Sequence, residues 1–288
     1  ETGLKYVNND ACYPSILVTG QMIEALESGK YNLNKTALIM SQTGGGCRAT
    51  NYIGFIRKAL KDAGFANIPV ISFNVVGMEK MPGFKITPDM VEKLLKVVVY
   101  GDLLQKMLSI YDMVNDFEKI ELDTSIKKPK VGIVGEVLIK YHPFGNNFIA
   151  EKLEQEGAEV ILPDFMGFVK FMATHKITFN TLIKTDKYKA KIFKLAIKLI
   201  DILEKDERIA LANSKKGYLQ PCDIWELEDK VKDILSIGNQ TGEGWFLTAE
   251  MVEYIEHGIS NIVCVQPFAC LPNHVVGRGI SKKLKEMY

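Results

Sequence analysis

The sequence predicts an α/β fold in two lobes, and three observations carry that expectation. A strand–turn–helix–strand run occupies residues 36–73. The same alternation resumes after residue 130, and a charged, proline-containing stretch, Asp123 to Lys130, separates the two runs. Strand–helix–strand alternation means parallel sheets with crossover helices. At 288 residues the chain is long enough to bury a large core in one or two domains.

The elements follow in order. Residues 14–28 place Ile16, Leu17, Met22, Ile23 and Leu26 at helical spacing. Residues 36–41 read as a buried strand, the Gly44–Gly46 turn follows, and a helix runs from Arg48 to Ala63. Residues 68–73 read as the next strand, and a long helix occupies 87–114 with Gly101 as a point of bending. After the boundary, Val131–Val134 is a strand, Asn147–Gln155 a helix, Val160–Leu162 a strand and Phe165–Ala173 a helix. Lys187–Glu204 is a strong helix whose apolar side is expected to hold Ile192, Leu195, Leu199 and Ile202. Asp223–Leu235 and Phe246–His257 are two further helices, Asn261–Val265 is the last strand, and Ile280–Tyr288 is a terminal helix. The expected lobes are 1–126, carrying the long helix 87–114, and 127–288. Both are Rossmann-like (flavodoxin-like), with mostly parallel sheets and a site in the cleft between them, since ligands bind beyond the carboxyl ends of such strands.

A net charge of +1 gives no global reason for binding nucleic acid or an anionic membrane. Lys189, Lys191, Lys194 and Lys198 resemble a nucleic-acid stripe but read as a solvated helix face. No apolar stretch reaches the ~20 residues of a membrane span. The start Glu1-Thr2-Gly3-Leu4 has no signal-peptide pattern and no initiator Met, so a processed form or an excised segment is expected. Five cysteines are an odd number for a disulfide framework in a chain of this length, which points to a reducing, cytoplasmic setting and to metal or redox chemistry.

Three of those cysteines stand at helix mouths. Cys12 opens Cys12-Tyr13-Pro14, Cys47 closes Thr43-Gly44-Gly45-Gly46-Cys47-Arg48, and Cys270 opens Cys270-Leu271-Pro272. A helix N-terminus favours a thiolate, and three thiolates point to a metal or iron–sulfur site assembled by folding. A [4Fe–4S] cluster on three ligands leaves one iron open. Gly44, Gly45 and Gly46 allow backbone N–H groups to approach such a group, and Arg48 offsets its charge. Cys264, inside an apolar strand, reads as buried or as a rival or fourth ligand, and Cys222 beside Asp223 reads as structural. Zinc on a three-cysteine set is chemically available, but zinc-finger spacing is absent. Glu136 is either a site acid or a capping carboxylate, Glu243 either faces the cleft or shapes a turn, and His274 is either a proton donor or a helix-start residue. Ser41 and Gln42 either line the site or cap a loop. His142, His175 and His257 lack ligand spacing. Gly132-x-x-Gly135-Glu136 lacks the remaining features of a nucleotide fingerprint.

Several segments together resemble a known family. They are Asn9-Asp10-Ala11-Cys12-Tyr13-Pro14, the run Thr43 to Tyr52, Val131-Gly132-Ile133-Val134-Gly135-Glu136, Gly242-Glu243-Gly244-Trp245-Phe246-Leu247, and the run Cys264 to His274. They resemble the iron–sulfur subunits of 2-hydroxyacyl-CoA dehydratases, the D-component type of 2-hydroxyglutaryl-CoA dehydratase. The likeness is closest to the dehydratase-like part of large CoA-substrate-specific enzyme activases. The resemblance implies a [4Fe–4S] cluster on Cys12, Cys47 and Cys270, with double-cubane clusters in related members. It also implies anaerobic, low-potential electron transfer or radical dehydration of an acyl-CoA substrate. The implied partner is an ATP-dependent activase with its own cluster, in the same polypeptide or another, and a dimer is compatible. Two readings compete with it: a non-catalytic scaffold of a larger activase, and a metal-free two-lobed protein that binds a small ligand.

Overall fold

Helices predominate over two small parallel sheets in the computed structural model, which describes residues 1–43, 46–74, 87–110, 121 and 125–288. In the first part, α1 (Thr2–Tyr6) crosses α2 (Tyr13–Glu27), and β1 (Leu38–Gln42) leads through a 3-10 turn, Arg48–Asn51, into α3 (Tyr52–Asp62) and β2 (Val70–Asn74). β1 and β2 pair in parallel, Leu38 opposite Val70 through Gln42 opposite Asn74. Their core joins Ile23 and Leu26 of α2 to Ile53, Ile56 and Leu60 of α3, so the expected strand–helix–strand unit is present.

The helix expected over 87–114 is α4 (Pro88–Ile110), and residues 111–114 lie outside the described residues. So do Asp123 and Thr124 of the expected boundary. Asp102 of α4 accepts hydrogen bonds from the backbone N–H groups of Phe165 (2.9 Å) and Met166 (2.7 Å). A buried carboxylate from the earlier part of the chain thereby caps a later helix.

The second sheet has the order β4-β3-β5, built from β3 (Lys130–Gly135), β4 (Glu159–Ile161) and β5 (Asn261–Val265), all parallel. Between them run α5 (Val137–Tyr141), α6 (Ile149–Gln155), α7 (Phe165–Ile183), α8 (Lys187–Leu203), α9 (Lys205–Asn213), α10 (Ile224–Val231) and α11 (Gly244–Glu256). After β5 come the short α12 (Leu271–Asn273), a π turn over His274–Arg278, and α13 (Ser281–Met287). The core packs Phe171, Trp245 and Phe246 together with Val134, Ile224 and Val231. Phe171 meets the Trp245 ring edge-on and stacks on Phe246.

One sequence expectation is reversed. Ile192, Leu195, Leu199 and Ile202 of α8 face solvent, at 58%, 58%, 52% and 65% exposure. The buried side is Ala190, Ile197 and Ile200, continued by Glu204. The helix carries two apolar stripes, and a polar contact orients it. Lys170 of α7, fully buried, holds Glu204 at 2.7 Å and Asp201 at 3.5 Å, and Arg208 joins Glu204 at 3.0 Å. Breaking this group would strand a buried charge, so it fixes which face turns inward.

β3 is the strand around which the second sheet is built, and Gly132 brings α11 against it. A Cβ there would stand 2.3 Å from Cδ2 of the buried Tyr254 ring. Gly132→Ala is therefore expected to cost about 2 kcal/mol or more through overpacking. Urea denaturation checks this, with Gly54→Ala tested beside it because open space surrounds that helical position.

Candidate metal centre

Each of the three predicted ligands is the residue immediately before a helical turn. Cys12 precedes α2 with Pro14 in its first turn, Cys47 precedes the Arg48–Asn51 turn, and Cys270 precedes α12 with Pro272 in its first turn. Proline there has a suitable φ and lacks only an N–H that would be unpaired. The Cys12 carbonyl is taken up by the Ser15 N–H and hydroxyl, at 2.9 and 2.8 Å.

Every one of these sulfurs has a donor of its own. The Tyr52 hydroxyl donates to Cys12 Sγ at 3.1 Å, inside a small core that also holds Val18. Asn273 Nδ2 donates to Cys270 Sγ at 3.2 Å. The Ala49 N–H and the nearby Thr43 hydroxyl stabilise the charged form of Cys47. Cys222 differs, since its thiol faces the Glu253 carboxylate, which raises its pKa further. The thiol of Cys264, in β5, has no hydrogen-bond donor lowering its pKa. Sulfur-directed donors separate three cysteines from the other two, a distinction helix-mouth position alone does not make.

The three sites also share surroundings. Glu136 lies within electrostatic reach of all three thiols, and Glu243 within reach of Cys47 and Cys270. Cys12 and Cys47 are within reach of each other. The loop before α11 joins the ends of the chain: a Cβ on Gly242, at φ +62°, would stand 2.8 Å from Pro272 Cγ and 3.9 Å from Cys47 Sγ. Only glycine meets both the left-handed backbone and the close approach to Pro272. Among the described residues no three His, Cys, Asp or Glu side chains converge tightly enough for a single metal ion.

The expectation of thiolates at these helix mouths is corrected by burial. Desolvation pushes the Cys12 thiol up to about 11, raises Cys47, and pushes Cys270 up to about 12, with Glu136 and Glu243 adding to the effect. Cys264 and Cys222 are likewise raised to about 11 and about 12. The turns after Cys47 and Cys270 span four and three residues, too short for a large dipole to offset burial. Without a metal these groups are thiols at neutral pH, and a metal would have to displace their protons.

Glu136 and Glu243 form a buried acidic pair. Glu136 caps α5 by accepting the Ile139 N–H at 2.8 Å, so the capping alternative holds, while Glu243 accepts the Val137 N–H at 2.9 Å. Burial and then the Glu243 charge raise Glu136 to about 7. Burial also raises Glu243, which its hydrogen bond to Val137 offsets in part. Lys140 nearby is committed to Glu250 at 2.8 Å, both buried. One of the pair therefore holds a proton near neutrality, close to the sulfurs.

The other predicted residues fall as follows. Arg48 is exposed, its guanidinium donates to the Asp10 carbonyl at 2.9 Å, and its positive charge acts to lower the Cys12 pKa. Gly46 is exposed beside Thr241, and Gly44 and Gly45 lie outside the described residues. His274 is exposed, with its ring on the Gln266 amide at 2.7 Å. Gln42 bridges the Thr50 carbonyl and the Ser72 hydroxyl, a bracing role, and Ser41 is exposed. Sequence reasoning missed Tyr52 and Asn273. Asn273 could have been found from its position one helical turn after Cys270, whereas Tyr52 lies 40 residues from Cys12 and gave no local signal. No family model matches the chain, and neither a curated protein nor a solved structure does so.

Two outcomes are expected of the metal-free protein. Alkylation of Cys12 by iodoacetamide, followed by mass spectrometry, is expected to rise with an apparent pKa near 11 rather than 9. Glu136 binds its proton more tightly in the folded than in the unfolded chain. Its contribution is fully present below about pH 4.5 and is lost as pH rises through about 7. Glu136→Gln keeps an oxygen for the Ile139 N–H, and thermal melts from pH 4 to pH 8 are expected to show a fall in stability smaller by up to about 3 kcal/mol.

Proposed function

We propose that the chain is an iron–sulfur protein of the 2-hydroxyacyl-CoA dehydratase type, with a [4Fe–4S] cluster held by Cys12, Cys47 and Cys270 between two Rossmann-like lobes. The observation that carries this reading is the donor set. Three thiols from distant parts of the sequence lie within electrostatic reach of one carboxylate, Glu136, and each has a hydrogen-bond donor directed at sulfur. Hydrogen bonds to cluster sulfurs are among the features that set a cluster's potential. Among the described residues the buried Asn273 Oδ1 has no hydrogen-bond partner, while Nδ2 donates to Cys270. Gly242 keeps the space beside Cys47 free of a side chain.

When bound, the cluster supplies low-potential electron transfer and one iron open to an oxygen ligand. The chain's own residues do the rest. Tyr52 and Asn273 hold two sulfurs in orientation, and Gly242 admits the loop that covers Cys47. Glu136, with a pKa near neutrality, holds a proton beside the sulfurs and is the acid best placed to release it, while Glu243 keeps that pKa raised. Electrons would arrive from an ATP-dependent activase, and an acyl-CoA thioester is the substrate class.

Anaerobic reconstitution with iron and sulfide tests the cluster. Wild type is expected to take up about four irons per chain and to turn brown, with Cys12→Ala, Cys47→Ala and Cys270→Ala each losing most of that iron, and Cys222→Ala and Cys264→Ala keeping it. Iron uptake unchanged in the first three variants, or no uptake at all, sinks the reading. Turnover of 2-hydroxyacyl-CoA thioesters with a reduced activase then separates an enzyme from an electron-passing scaffold.

A further inference from the structure

Among the described residues β5 is the last strand of its sheet, and it forms one wall of a groove of about 720 Å³. Val265 of β5 accepts the Glu136 N–H through its carbonyl, so in a parallel ladder the residues of that parity face β3. Ile262 and Cys264, of the opposite parity, direct their N–H and C=O groups away from β3. Both also line the groove. Backbone groups at an open sheet edge form a template for another strand.

The facing wall is the last helical stretch of the chain. Arg278, Ser281, Lys285 and Tyr288 all line the groove, at a spacing that puts them on one side of a helix. Ile255 of α11 and Ile262 of β5, both half-buried, supply its apolar surface above the buried Met251 and Leu284. Arg278 and Lys285 give it positive charge, and among the described residues no acidic side chain lines it. An open strand edge running beside a helix, apolar underneath and cationic on one side, is a geometry that receives extended polypeptide, with main-chain bonds for affinity and side-chain pockets for choice.

We propose that this groove receives one extended strand of a partner protein, in which apolar residues alternate with acidic ones. Its main chain pairs with Ile262 and Cys264. Its apolar side chains cover Ile255 and Ile262, and its carboxylates meet Arg278 and Lys285. The inference is independent of the cluster, since none of its contacts involves Cys12, Cys47 or Cys270.

The test uses the 288-residue protein and a fluorescein-labelled hexapeptide alternating valine and aspartate. Fluorescence polarisation is expected to show saturable binding, and hydrogen exchange is expected to slow at the Ile262 and Cys264 amides. Ile262→Pro removes an edge N–H at a position where proline is tolerated, and is expected to weaken binding about tenfold or more. Arg278→Glu combined with Lys285→Glu is expected to reverse the preference, so that a valine–lysine hexapeptide binds better than the aspartate one. No binding, binding that leaves the two amides exchanging freely, or affinity untouched in a folded Ile262→Pro protein overturns the proposal. If Ile262→Pro does not fold, amide protection in the wild type decides alone. Benzoate displacing the peptide while the amides continue to exchange would also overturn it, in favour of a small-molecule site.

Discussion

The parallel pairing of β3 with β4 on one side and β5 on the other is the constraint on which the rest depends. Parallel strands end on the same side of a sheet, so the turns after β3 and β5 leave from one edge. One of those turns delivers Glu136 and the cap of α5. The other leads to Cys270 and α12. The Tyr254 ring against Gly132 then fixes α11, and with it the preceding loop that carries Gly242 and Glu243. The first sheet contributes by the same rule, for β1 leads directly to Cys47.

The electrostatic character of the site comes from burial working against charge. Three thiols and two carboxylates are all pushed toward their neutral forms, and the buried cation Lys140 is already engaged by Glu250. A neutral, crowded group of acids is what a cationic or proton-displacing ligand meets, and it enters only by releasing protons. This explains why the donors to sulfur matter. Tyr52, Asn273 and the Ala49 N–H are dipoles that stabilise negative sulfur without adding a second mobile charge.

Much of this was legible in the sequence. β5 begins and ends where its apolar run does, and both prolines two residues after a cysteine mark true helix starts. The α/β class followed from alternation alone. Three things were not legible, each for a physical reason. The inward face of α8 could not be chosen from periodicity, because two stripes satisfy it and a buried ion pair from α7 decides. The protonation of the cysteines could not be read from helix position, because desolvation depends on what covers them. The Tyr52 contact to Cys12 spans two helices, and local spacing carries no information about such a pairing.

The distance along the chain between the two ends of the site has a consequence for biosynthesis. Cys12 emerges from the ribosome 258 residues ahead of Cys270. The helix turn at Cys270 is held by Asn273 and by the Gly242 loop, both of which follow most of the second sheet. Cys12 and Cys47 precede β5 together with their donors Tyr52 and Ala49, whereas Cys270 and its donor Asn273 follow it. A nascent chain arrested before that strand would carry two of the three thiols and lack the third together with its donor.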